Sequence, residues 1–122
     1  MMFLNKNNMP TIFMFSGQGS QYFQMGKPLF EYNSCYREWM NEIDDLFKQE
    51  LGESILHIIY NPECKKTDIF DRTLYTHPAI FMVEFALAKA LIKNGIFPDY
   101  VLGASLGEYT AATLAGVICL ED

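Results

Sequence analysis

The chain has 122 residues, 50% of them hydrophobic and 20% charged, with 15 acidic against nine basic side chains and a net charge of −6. That length holds one core and not two, and the composition excludes a disordered tail or a coiled coil. The basic residues are scattered, Lys65-Lys66 being the one adjacent pair, so a surface that tracks nucleic acid is not expected.

The N-terminus carries one lysine and Asn5, Asn7 and Asn8 where a signal peptide needs an apolar run. Thr11-Ile12-Phe13-Met14-Phe15, bounded by Pro10 and Ser16-Gly17, is β-branched and aromatic and predicts a buried strand. Gly17-Gln18-Gly19-Ser20-Gln21 is too polar and glycine-rich for anything but a loop. A short helix is expected within residues 21–30, its limits blurred by Gly26 and Pro28.

From Ser34 the spacing is helical. Tyr36, Trp39, Met40, Ile43 and Phe47 share one face, while Arg37, Glu38, Asp44, Asp45 and Lys48 are assigned to the other. Asn33 or Ser34 can cap this helix and Gly52 ends it. Residues 54–60 read as a second short helix stopped by Asn61-Pro62, and residues 63–73 as a connecting loop. Thr76 is then expected to cap a long helix with Pro78 in its first turn. Ile80, Phe81, Val83, Phe85, Leu87, Leu91 and Ile92 lie almost all round it, as in a helix buried on most sides. Glu84 and Lys89 interrupt this stretch, which falls short of the roughly 18 consecutive apolar residues of a membrane span. Asn94-Gly95 closes the helix.

Tyr100-Val101-Leu102 predicts a second strand running into Gly103-Ala104-Ser105-Leu106-Gly107. Residues 108–115 read as a helix with small residues facing in, ended by Gly116. Residues 120–122 read as the first turn of another. Strands alternating with helices imply an α/β fold with right-handed crossovers, here a partial parallel sheet flanked by helices. Two strands leave long unpaired edges, so residues 1–122 are expected to be the N-terminal fragment of a single larger domain. Cys35, Cys64 and Cys119 are odd in number and widely spaced, which fits a reduced, cytoplasmic protein without a disulfide framework or zinc-ligand pair. No metal or cofactor is expected, and no membrane partner.

Gly103-x-Ser105-x-Gly107 between strand and helix is the strongest chemical signal. A nucleophilic serine must stand clear of the backbone, and a sharp strand-to-helix turn achieves this while glycines let neighbouring backbone pass close. The N–H of Leu106 then points from the helix N-terminus toward the same spot, where it can stabilise an oxyanion. Residues 17–21, taken alone, read as a bland turn: the phosphate-loop ending and the dinucleotide glycine spacing are both absent.

Together, Phe15-Ser16-Gly17-Gln18-Gly19-Ser20-Gln21, Thr76-His77-Pro78-Ala79 and the run from Pro98 to Tyr109 around Ser105 resemble the malonyl-CoA:acyl carrier protein transacylase family. That family includes acyltransferase domains of fatty-acid and polyketide synthesis. The resemblance spans residues 11–122 and implies the N-terminal part of an α/β-hydrolase-like acyltransferase core. It implies Ser105 as the nucleophile, the N–H groups of Gln18 and Leu106 as the oxyanion hole, and His77 near the substrate. It further implies an acyl-CoA donor and, as acceptor, the phosphopantetheine arm of an acyl carrier protein. Three positions depart from the family's usual residues: Ala104 replaces a histidine, His77 a glutamine and Ser16 a proline. These replacements are reminiscent of relatives that hydrolyse acyl groups from carrier proteins, so both a carrier thiol and water remain open as acceptor. His57, among Ile55, Ile58 and Ile59, reads as a helix-face residue. By the resemblance, the general base and any carboxylate-binding arginine lie beyond Asp122, so residues 1–122 alone are expected to turn over little or nothing.

Overall fold

A computed structural model describes residues 9–122; residues 1–8, on which the argument against a signal peptide rests, lie outside the described residues. The element order is β1 (Ile12–Phe15), α1 (Lys27–Tyr32), α2 (Ser34–Leu51), α3 (Ile55–Ile59), α4 (Thr73–Lys93), β2 (Tyr100–Gly103) and α5 (Gly107–Leu114). β1 and β2 pair in parallel, Ile12 opposite Tyr100 and Phe15 opposite Gly103, so the expected α/β architecture with a small parallel sheet is what the chain forms. Strand alternation sends Phe13 and Phe15 inward, where they pack with Ala88 of α4 and Ala111 of α5. Ile12, Met14, Tyr100 and Leu102 point from the opposite face and are exposed.

The larger core lies between α2 and α4. Tyr36, Met40 and Ile43 recur at helical spacing and bury completely or nearly so against Met82 and Phe85 of α4 and Ile55 and Ile59 of α3. Asn33 caps α2, its side chain accepting from the Tyr36 N–H, and Gly52 ends the helix at φ +76°. Ser54 caps α3 through the His57 N–H. Asp44, assigned from the sequence to the solvent face, is instead buried, because it stands one turn beyond Met40 on the core side. Its carboxylate accepts from the Ser54 hydroxyl (2.7 Å) and the Leu56 N–H (3.0 Å), joining α2 to α3.

Two boundaries differ from the sequence reading. The short helix expected within residues 21–30 occupies only the end of that range and runs two residues past it, as α1. Residues before it turn through Gln24 at φ +68°, whose side-chain amide donates to the carbonyls of Asn61 and Cys64. Gly26 at φ +70° then starts α1 in a space that nothing larger fits, since a Cβ there would lie 2.1 Å from the Tyr36 hydroxyl oxygen. α4 begins four residues earlier than expected: the Arg72 carbonyl accepts the Tyr75 and Thr76 N–H groups, so Thr76 lies inside the helix and caps nothing. Pro78 therefore falls in the second turn and removes one ladder bond, the one Leu74 would have accepted. Residues 119–122 form a turn in which the Asp122 carboxylate accepts the Cys119 N–H.

Candidate active site at the turn after β2

The β2–α5 junction is built by backbone hydrogen bonds. Ala104 N–H donates to the Phe15 carbonyl (3.0 Å), extending the pairing with β1 by one residue. The Ala104 and Ser105 carbonyls then accept from Gly107 and Glu108, each at 3.0 Å, which starts α5. The chain turns between these bonds, and Ser105 takes up a left-handed φ of +53° with its side chain exposed. A β-carbon in this region is crowded, costing about 1–2 kcal/mol in any residue but glycine. The two flanking glycines are forced by proximity. A Cβ on Gly103 would sit 2.2 Å from the Gly107 carbonyl oxygen, and one on Gly107 would sit 2.2 Å from that of Phe15.

The glycine loop after β1 lies against this turn. A Cβ placed on Gly17 would be 2.8 Å from the Ala104 oxygen, 3.3 Å from the Ser105 Cβ and 3.5 Å from the Leu106 nitrogen. The structure thus brings together Gly17-Gln18 and Ser105-Leu106, which the sequence holds nearly ninety residues apart. Among the described residues, neither the Gln18 nor the Leu106 N–H donates to a backbone carbonyl. Leu106 precedes the first residue of α5, so its N–H belongs to the positive end of that helix. The loop is pinned by side chains: Ser20 Oγ donates to the Gly17 carbonyl, Gln21 Nε2 to that of Phe70, and the buried Thr76 Oγ1 to Gln18 Oε1 at 2.9 Å.

His77 lines a cleft of about 410 Å³ with Pro78, Phe81, Leu106 and Tyr109, next to the Ser105 turn. The lining is largely hydrocarbon. His57 is exposed on α3 and lines a different cavity with Asp44 and Ser54.

Sequence reasoning noticed Glu84 only as an interruption of an apolar helix. Its carboxylate accepts from Ser16 Oγ at 2.9 Å and from Thr110 Oγ1 at 3.1 Å, joining the residue before Gly17 to α5. Burial pushes the Glu84 carboxyl upward from its ordinary value, while the hydroxyl donors pull the other way. An acidic residue inside an otherwise greasy helix was the available signal; its partners were not legible.

A left-handed serine between parallel strand and helix, with close-approach glycines on both sides, is the sharp strand-to-helix turn by which an α/β enzyme presents a serine hydroxyl clear of the backbone. The family model described as "Acyl transferase domain" matches residues 12–122, and the chain belongs to that family. It is 55% identical over 115 residues to the polyketide biosynthesis acyltransferase homolog BaeD of Bacillus velezensis, covering 94% of this chain and 36% of that protein. Among solved structures it resembles the acyl transferase domain of ZmaA, with TM-score 0.85 and 37% identity, over 95% of this chain and 28% of that one. It also resembles an acyl-carrier-protein S-malonyltransferase from Burkholderia pseudomallei, with TM-score 0.76 and 33% identity, over 93% of this chain and 35% of that one. The chain spans about a third of the length of BaeD and of the polyketide biosynthesis acyltransferase homolog PksD of Bacillus subtilis.

Proposed function

We propose that residues 1–122 form the N-terminal part of an acyltransferase that moves an acyl group from coenzyme A to a carrier protein in polyketide biosynthesis, through an ester on Ser105. The observation that carries this reading is the left-handed Ser105 turn with the Gly17-Gln18 loop pressed against it. In the first half-reaction Ser105 Oγ attacks the thioester carbonyl and gives up its proton to a base. The carbonyl oxygen takes the negative charge, and the Gln18 and Leu106 N–H groups donate to it. Collapse of that intermediate expels the coenzyme A thiolate, which takes up a proton, and leaves acyl-Ser105. In the second half the carrier's phosphopantetheine thiol attacks the ester by the same route and restores the serine. A thioester has a good leaving group, so two aligned donors supply much of what the step needs; losing one typically costs about 10²–10³ in rate. His77 lines the cleft in which the acyl group would lie. The base belongs to the remainder of the domain, for which the exposed apolar sheet face of Ile12, Met14, Tyr100 and Leu102 is further support.

The test is intact-mass spectrometry of the full-length protein after exposure to malonyl-CoA and, separately, acetyl-CoA. An acyl adduct is expected that disappears in Ser105→Ala. Adduct formation that survives Ser105→Ala would refute the assignment.

A further inference from the structure

Glu84 is the one carboxylate among the described residues that hydrogen-bonds to both segments supplying the proposed oxyanion donors. On one side it holds Ser16, the residue before Gly17-Gln18. On the other it holds Thr110, whose side chain is completely buried and stands one helical turn after Leu106. Two turns earlier on the same helix, Thr76 holds the Gln18 side chain. The glycine loop is thus fixed to α4 at two points and α4 to α5 at one, and the Ser16 and Thr110 attachments share the single Glu84 carboxylate. Its two oxygens divide the work: Oε1 takes Ser16 and Oε2 takes Thr110.

We infer that Glu84 is a positioning residue for acyl transfer, setting the separation of the Gln18 and Leu106 N–H groups by bridging Ser16 and Thr110. This rests on the acyl-Ser105 reading above. Glu84 acts through the two hydroxyls, and neither binds substrate nor exchanges a proton with it. Donors aimed at a developing oxyanion act over a few tenths of an ångström, and displacement of catalytic groups by about 1 Å can cost about 10² in rate. A bridge lost from α4 leaves Ser16 and the loop behind it free to shift relative to α5. Ground-state binding of the acyl-CoA draws on other surfaces, so the loss falls on the chemical step.

The experiment follows acylation of the full-length enzyme by malonyl-CoA and by acetyl-CoA in single-turnover intact-mass time courses, with Ser105→Ala run in parallel. Each variant's folded fraction is set by its thermal melt. Glu84→Ala is expected to lower the limiting acylation rate about 10–100-fold with the half-saturating acyl-CoA concentration changed less than about threefold. Glu84→Gln, whose amide can accept one hydroxyl and donate to the other, is expected within about threefold of wild type. A wild-type limiting rate in Glu84→Ala, a loss carried by half-saturation alone, or a Glu84→Gln as slow as Glu84→Ala overturns the inference. If Glu84→Ala does not fold, Ser16→Ala decides: a rate drop of at least about threefold supports the bridge, and an unchanged rate overturns it. Persistence of the adduct in Ser105→Ala would strike the acyl-serine reading itself, so the two failures are distinct.

Discussion

The left-handed φ of Ser105 makes a stability prediction that runs opposite to the usual order of glycine and alanine. At an ordinary site, alanine is the more stable of the two by about 0.5–1 kcal/mol, because glycine loses more backbone freedom on folding. At φ +53° any β-carbon is strained by about 1–2 kcal/mol, which glycine escapes. Subtracting the first term from the second leaves Ser105→Gly more stable than Ser105→Ala by about 1 kcal/mol. The comparison isolates the backbone, since both variants lack the hydroxyl and the site is exposed. Denaturant titration of the full-length protein would measure the difference, which corresponds to about 2–4 °C in melting temperature. Ala112→Gly, inside α5 seven residues away, serves as the reversed control and should destabilise by about 1 kcal/mol or more. Ser105→Gly proving equal to or weaker than Ser105→Ala, with the control behaving normally, would refute a left-handed turn at this serine.

Other outcomes follow from the same contacts. Gly17→Ala places a methyl group 2.8 Å from the Ala104 oxygen and must push the glycine loop off the turn; acylation measured by intact mass should slow by about 10–100-fold while the protein still melts cooperatively. An unchanged rate would show that the loop and the turn do not cooperate. Alkaline pH should weaken the fold through two phenols of the main core. Burial pushes Tyr60 up to about 12 and Tyr36, whose hydroxyl has no hydrogen-bond partner among the described residues, further still. Above pH 10 the unfolded chain releases these protons while the fold retains them, so stability should hold up to about pH 10 and fall between there and pH 12. Tyr60→Phe should flatten that fall in a pH series of denaturation curves, and an unaltered slope would contradict the burial argument.

What the sequence could show was local. Asn33 and Gly52 bound α2 because a cap needs only a side-chain acceptor or a left-handed glycine, and Tyr36, Met40 and Ile43 mark its buried face through spacing alone. The Ser105 turn was equally legible, since its two glycines lie within five residues of each other and announce a close approach. Thr76 was misread for the same reason that these succeeded. A threonine just before His77-Pro78 resembles a cap, and only the folded chain shows the Gln18 side chain that its hydroxyl meets. Asp44 and Glu84 likewise present carboxylates whose partners, Ser54 with Leu56 and Ser16 with Thr110, stand 10 to 68 residues away. By itself the sequence determined the order of the elements, the caps of α2 and the candidate nucleophile, each set by dihedral preferences and periodicity over a few residues. Tertiary structure decided which loops meet at Ser105 and what holds them there, because those contacts depend on parallel pairing of strands nearly ninety residues apart, a separation across which no local preference acts.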